Sequence, residues 1–337
     1  MKRIATIVLT MGVLAASLFG QKVGKYAGEF LAIGVGGRAL SLGGAYVALA
    51  NDASAGYWNP AALVRINYPE IMVMHDERFG NLMNYDFGAV AIPYGQDASL
   101  GLTVIRMGID GIPDTRNAWV DANGNGVFDD NNRPDYDKIT YFNSADWAFY
   151  LTYAKKVDES FAYGANVKFI RRDIADGSAT GIGFDAGLIY TPKPQLLLGV
   201  NIQDVTTTLV AWNTGRTELI TPTAKVGASY FIEAFDGRFA PSLDLDMRLE
   251  NRRYAAFAHI WRLSIDPRVG IEFDFRKTVA LRLGYSDVGQ FTVGAGLHLR
   301  KLDIDYCFAR FGSQADNLGD THRISLRLIL EEERYAR

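Results

Sequence analysis

The chain has 337 residues, with 35 Lys and Arg against 38 Asp and Glu, a net charge of −3, 34 glycines and 12% aromatic residues. That near balance excludes a protein that holds nucleic acid by a basic field, and the single Cys307 excludes an internal disulfide. No Pro/Ser-rich linker divides the sequence, so one large domain accounts for its length as well as two would.

In chain order, Lys2 and Arg3 precede an apolar run from Ile4 to Ala16 and small residues before Gln21, the three-part layout of a secretory signal expected over residues 1–20. The run is shorter than the roughly 20 residues a spanning helix needs. No cysteine follows it, which excludes a lipoprotein. Nothing after residue 21 is apolar for long enough to cross a bilayer as a helix, so the remainder is either soluble or crosses as a barrel.

Residues 21–68 do not alternate like a strand. Their centre, GVGGRALSLGGAYVALANDASAGYWNPAAL from Gly34 to Leu63, is rich in small residues that let backbone pack closely. Asp52 suits the cap of a short helix beginning at Ala53, and Asn59-Pro60 would end that helix and open another turn. A dinucleotide-binding loop at Gly34, Gly36 and Gly37 would need a preceding strand and a βαβ unit, and neither is visible.

From Pro69 onward the pattern has period two, the signature of a strand. Val279, Leu281, Leu283 and Tyr285 alternate with Ala280, Arg282, Gly284 and Ser286, and Leu243, Leu245, Met247 and Leu249 alternate with Asp244, Asp246 and Arg248. Fourteen such segments are expected between residues 69 and 331, about ten residues each, the length of a tilted membrane-crossing strand. Every second connection is short, as at Tyr94–Asp97, Val157–Glu159, Pro192–Pro194, Lys277 and Arg300–Lys301. All the long ones, including 108–143, 205–222, 250–267 and 311–320, fall in the other set. Short turns on one side and long loops on the other predict a transmembrane antiparallel β-barrel in the outer membrane, with lipid around it. Alternation alone would also suit a soluble sheet with one buried face. In a barrel, a basic group on the lipid face costs roughly 2–4 kcal/mol at mid-depth, so Asp244, Asp246, Arg248, Glu272, Asp274 and Arg282 are expected to face the lumen.

One local motif is specific. Asp121, Asn123, Asn125 and Asp129 offer side-chain oxygens at positions one, three, five and nine, Gly126 stands at six and the Val127 carbonyl at seven, as in an EF-hand-type loop. Asn132 replaces the bidentate Glu at twelve, so residues 121–132 are expected to bind Ca²⁺ weakly, the alternative being a solvated Asp/Asn/Gly-rich loop. Four histidines, with no HExxH and no CxxC, give no basis for an enzyme or a zinc site. The five tryptophans fall mostly near strand ends or in loops, as interfacial anchors do.

The run Gly43 to Ala48 (GGAYVA), the stretch Asn51 to Ser54 (NDAS) and the motif Asn59-Pro60-Ala61, followed by barrel strands, resemble the PorV/PorQ family of FadL-like outer-membrane proteins. The resemblance implies a fourteen-stranded barrel whose N-terminal segment sits inside as a hatch, which makes Gly43, Gly44, Asn51, Asp52, Asn59 and Pro60 architectural. One departure is that such barrels commonly end on an aromatic residue, whereas a tail, residues 332–337, runs on to Arg337. Likeness to PorV implies a part in type IX secretion or surface attachment, with exported cargo proteins and other secretion components as partners. The wider FadL-like likeness implies passive transport of a hydrophobic small molecule. A purely structural outer-membrane role is the third class.

Overall fold

The computed structural model describes residues 28–79, 82–121, 124, 126, 130, 132–250, 256–286, 289–311 and 320–331. The expected export signal and the tail at 332–337 lie outside the described residues.

Fourteen long strands follow the N-terminal segment: β1 Glu70–Arg78, β2 Met83–Tyr94, β3 Ala98–Asp114, β4 Thr140–Lys156, β5 Phe161–Ile174, β6 Gly177–Lys193 and β7 Leu196–Gln203, then β8 Thr223–Tyr230, β9 Gly237–Arg248, β10 Leu263–Phe275, β11 Val279–Tyr285, β12 Gln290–His298, β13 Leu302–Phe311 and β14 Thr321–Ile329. Each pairs antiparallel with its neighbours in sequence. The sheet closes because β14 pairs with β1, from Glu70 opposite Ile329 to Glu77 opposite His322. Closure pairs the edge amides and carbonyls that would otherwise face hydrocarbon, where each unpaired group costs several kcal/mol.

The alternation resolves as the sequence predicts. On β11, Val279, Leu281, Leu283 and Tyr285 are exposed outward and Ala280 and Arg282 are buried inward. The same holds around the wall, with Val73, Leu102, Leu151, Val167, Val269 and Leu326 outside. A closed barrel with an apolar exterior and a charged interior is stable in lipid and not in water, which settles the ambiguity that alternation leaves open.

Strand boundaries differ from expectation mainly at the long-loop end. The predicted loop at 108–143 is in part strand: β3 and β4 continue past the lipid-facing band, stepping through a bulge between Ile109 and Ile112. Beyond them Trp119–Val120 pairs with Arg133–Pro134 as a separate small sheet. The expected loop at 205–222 likewise holds Thr208–Trp212, which carries the wall on beside β6, and Thr217–Ile220, which pairs with it. β10 begins at Leu263 rather than at Arg268 and keeps its ladder through Pro267.

A folded barrel of this kind resists unfolding by detergent at room temperature. Purified protein left unboiled should migrate faster on a denaturing gel than the boiled sample, and a single heat-independent band would contradict the closed barrel.

Candidate functional site

The lumen is filled by the segment from Gly28 to Ile66. It is built of short turns rather than long helices: Glu29–Ala32, Gly37–Ser41, Ala55–Trp58 and Pro60–Arg65. Nearly all of Gly34–Leu63 is buried. The path circles the inner wall, passing β12 and β13 at Gly37–Ser41, β10 and β11 at Leu42–Gly43, β7 to β9 at Tyr46–Ala48, β3 and β4 at Gly56, and β5 and β6 at Asn59–Ala61. It then enters β1.

This close passage depends on glycines that face inward from the strands. A Cβ on Gly199 would stand 2.6 Å from the Val47 carbonyl oxygen, and one on Gly270 would stand 2.6 Å from that of Leu42. Gly164, Gly187, Gly284 and Gly294 meet Pro60, Asn59, Leu42 and Ser41 in the same way. The wall therefore carries a tilted ring of missing side chains, and the plug is seated in it. Within the plug, Gly43 (φ +64°) and Gly44 (φ +82°) take the left-handed turn that brings the chain against Tyr285 and Arg268.

Where the wall is not glycine it is often ionic. Arg38 of the plug forms a two-point ion pair with Glu272, from Nε to Oε2 and from Nη2 to Oε1, both 2.8 Å. Glu272 also accepts from Arg282 at 2.6 Å, and Arg282 donates to Asp305 at 2.6 Å. Burial alone would lower the Arg38 guanidinium, but Glu272 beside it holds it well above its usual range. Asp244 receives the backbone N–H of Tyr46 (2.7 Å) and of Val47 (2.8 Å), tying the plug to β9. Asp246 is surrounded by Lys225, Arg248 and Arg268, and Arg248 also reaches Asp266 at 2.9 Å. Asp274 lies at the short-turn end of β10, half-buried, with Oδ1 buried. The six charges singled out from the sequence are thus part of one inner wall, and the plug supplies one of the two cations on Glu272 and two N–H donors to Asp244.

The motif residues of the plug act on each other. Asn51 accepts from Arg38 Nη1 at 2.5 Å, and Asp52 accepts from the Tyr46 hydroxyl at 2.7 Å. Asp52 is not the cap of a helix starting at Ala53. The helix starts at Ala55, and the Asp52 carboxylate takes the Ser54 N–H and hydroxyl, closing the turn before it. Asn59 does cap the Pro60–Arg65 turn, accepting from the Ala61 N–H at 3.1 Å, while its amide donates to Val47 and Leu188. Arg65 ends that turn and donates to the carbonyls of Ala48 and Ala50, and burial pulls its guanidinium down to about 10. Trp58 is not an interfacial anchor. It is fully buried in the plug, donating to the Val35 carbonyl at 2.9 Å.

The lumen is less polar than its charges suggest. The inner faces of β1 to β5 carry Met72, Met74, Tyr85, Phe87, Ile105, Tyr150 and Ile170, in one apolar cluster with Phe30, Leu31 and Tyr57 of the plug. Above the plug, at the long-loop end, an open cleft of about 630 Å³ lies between the Glu29–Ala32 turn and the ends of β7 to β9. Leu31, Leu219 and Ile220 form its apolar side, and Lys225, Arg248 and Glu250 its charged side. Sequence reading missed this cleft, since Leu219 and Ile220 fall in what reads as a loop. The strand that carries them, Thr217–Ile220, is four residues long and too short to show a period.

In the loop at 121–132, Asp121 accepts the N–H of Gly124 at 2.8 Å and that of Gly126 at 2.7 Å. Asn123, Asn125, Val127 and Asp129 lie outside the described residues.

A closed fourteen-stranded barrel with an internal N-terminal plug has the FadL-type fold, and an apolar belt around such a barrel places the chain in the bacterial outer membrane. The particular structures that share it are transporters. The toluene transporter TbuX of Ralstonia pickettii superposes with a TM-score of 0.56 at 14% identity, over 88% of this chain and 99% of that one. A FadL homologue of Pseudomonas aeruginosa gives 0.54 at 13% identity, over 85% and 96%. The toluene transporter TodX of Pseudomonas putida gives 0.53 at 10% identity, over 87% and 96%. At these identities the likeness is one of fold. A sequence profile for an uncharacterised protein family (UPF0164) matches residues 8–92, which takes in the plug motifs and the first hairpin. No curated protein matches.

Filling the glycine ring should unseat the plug. Gly199→Val is expected to destabilise the barrel by about 3 kcal/mol through overpacking against the Val47 carbonyl, read as a lower thermal midpoint and faster proteolysis of the plug. Gly88→Ala, where a Cβ meets nothing within 4 Å, is the control and should leave both unchanged.

Proposed function

We propose that this barrel is a passive transporter that admits hydrophobic small molecules through the outer membrane from the cleft above its plug. The observation that carries the reading is that cleft. It is a concavity at the mouth of the lumen that offers Leu31, Leu219 and Ile220 on one side to an apolar molecule, facing Gln203, Asp204, Lys225, Arg248 and Glu250 on the other. It lies at the mouth of a fold that the toluene transporters share. The plug and its ion pairs leave no open greasy bore, so passage requires the plug or the Glu29–Ala32 turn to shift after the cleft is filled. That turn is held to the rest of the plug by the bond from the Tyr57 hydroxyl to the Leu31 carbonyl, and to the wall by Ile220 packed on Gly28.

A part in type IX secretion rests on the N-terminal motif resemblance alone. The comparisons offer it no support, and the transport reading takes its place. The two part in a simple experiment. Cells lacking the gene should take up a hydrophobic probe such as radiolabelled toluene several-fold more slowly while exported proteins still reach the surface. Ile220→Trp, which fills the cleft without touching the plug's ion pairs, should slow uptake to the same degree. Normal uptake with exported proteins stranded in the periplasm would overturn transport in favour of secretion.

We also propose that the 121–132 loop takes up Ca²⁺ at the cell surface. Asp121, already organised by two backbone N–H groups, is the first ligand of the motif. Calorimetric titration should give a dissociation constant on the order of millimolar, lost in Asp121→Ala. No heat from the whole protein at millimolar calcium would remove the assignment.

A further inference from the structure

The exterior of the barrel stops being apolar along a defined line. His75, Asp86, Arg106, Trp147 and Arg171 are successive cross-strand neighbours on β1 to β5, one per strand. All five point outward, because the residues next to them, among them Met74, Tyr85, Ile105, Ala148 and Ile170, are buried inside. One step toward the short-turn end, the next outward residues are Val73, Gly88, Val104, Phe149 and Phe169. The row thus stands about 7 Å along the strands above lipid-facing side chains, at the depth where hydrocarbon gives way to headgroups. It is at the long-loop end, the outer leaflet of an outer-membrane barrel.

The row is a connected array. His75 Nδ1 is 2.7 Å from Asp86, Asp86 accepts from Arg106 at 3.4 Å, and the Arg106 guanidinium lies 5.7 Å from the centre of the Trp147 ring. Arg171 is held by Asp173 at 2.5 Å. The side chains of Arg106 and Arg171 remain 26% and 42% exposed. A guanidinium has five N–H donors, so each keeps donors for another acceptor. The rest of the wall is less charged at that level: its outward residues include Thr180, Ala224, Met247, Ile265, Tyr285 and Phe291, with Arg310 beside Phe291 on β13.

We propose that this row is a binding surface for phosphate-bearing lipid headgroups of the outer leaflet. Arg106 and Arg171 donate to phosphate oxygens, Asp86 and Asp173 hold the two guanidinium forks in place, and Trp147 lies between them at the interface. Glu77, Asp86, Asp110 and Asp173 share this patch, so the guanidinium donors that Asp86, Asp110 and Asp173 leave over are what meets the phosphate oxygens, and the apolar band directly beneath receives the acyl chains of the same lipid. The surface lies on β1 to β5, away from the cleft at β7 to β9, so its failure would leave the transport reading untouched.

The test is native mass spectrometry of the purified barrel with lipid A carrying its phosphates, or with the same lipid dephosphorylated. The phosphorylated form should bind about tenfold more tightly, an advantage on the scale expected for two basic residues at an anionic headgroup layer. That advantage should disappear in the double variant Arg106→Gln, Arg171→Gln and at high salt. It should survive Arg106→Lys, Arg171→Lys in reduced form, and persist in full in Arg300→Gln at the opposite end. Gel mobility of unboiled protein checks that each variant folds. If the double variant does not fold, the salt dependence of the wild-type protein decides. Equal binding of the two lipids by the wild type, an advantage unchanged in a folded double variant, or displacement of the lipid by inorganic phosphate at matched concentration would overturn the proposal.

Discussion

In hydrocarbon no solvent pairs an exposed amide or carbonyl, and this constraint governs the molecule. A chain without a spanning helix meets it by closing a sheet on itself, which here is done by the pairing of β14 with β1. Closure then creates a second demand. A barrel of this width encloses a lumen, and its contents decide whether the protein is a pore or a sealed wall.

The N-terminal segment answers that demand by packing rather than by secondary structure. Its longest helical piece, Pro60–Arg65, is six residues long, and its buried residues share one cluster with those of the wall. It is shaped by the wall: by the inward glycines that let its backbone approach, by Asp244 that takes two of its N–H groups, and by Glu272 that takes its arginine. Buried charges of this kind cost desolvation energy that only good partners offset. The plug supplies Arg38 as one of two cations on Glu272, so losing the plug would leave the wall partly unneutralised. Plug and barrel are therefore mutually dependent, and movement of the plug as one body carries a large barrier. The Glu29–Ala32 turn, held by the Tyr57 bond to the Leu31 carbonyl and by burial of Phe30 and Leu31, is a shorter piece to displace than the whole plug.

The two sides of the lumen divide the work. The β8 to β14 side holds the plug chiefly by ion pairs, while the β1 to β5 side joins it in one hydrophobic cluster, beside polar contacts such as Glu70 to the Ala53 N–H and Asn166 to the Gly56 carbonyl. The exterior is asymmetric as well, with a row of ionic side chains on successive strands at the outer boundary of β1 to β5 and more widely spaced charges, such as Arg310 on β13, at that level elsewhere. Transport, calcium binding and lipid contact are assigned to three separate places at the same end: the cleft, the long loop and the outer wall.

Much of this was legible in the sequence. Period-two alternation named the outward and inward residue of nearly every strand, because side-chain direction in a strand is a local property of the backbone. Loop parity gave the count and the orientation. The motif around Gly43, Asp52 and Asn59 pointed to a plug through its resemblance to FadL-like proteins, while its local turns gave the Asn59 cap and misplaced the one at Asp52. What local pattern could not give was contact across the lumen. The pairing of Arg38 with Glu272, the burial of Trp58, and the glycine ring at Gly164, Gly199, Gly270 and Gly284 join residues more than a hundred positions apart. So does the cleft, where Leu31 meets Ile220. Only closure of the barrel brings them together, because the circumference of a sheet, and not the chain's own periodicity, decides which strands face the same point inside it.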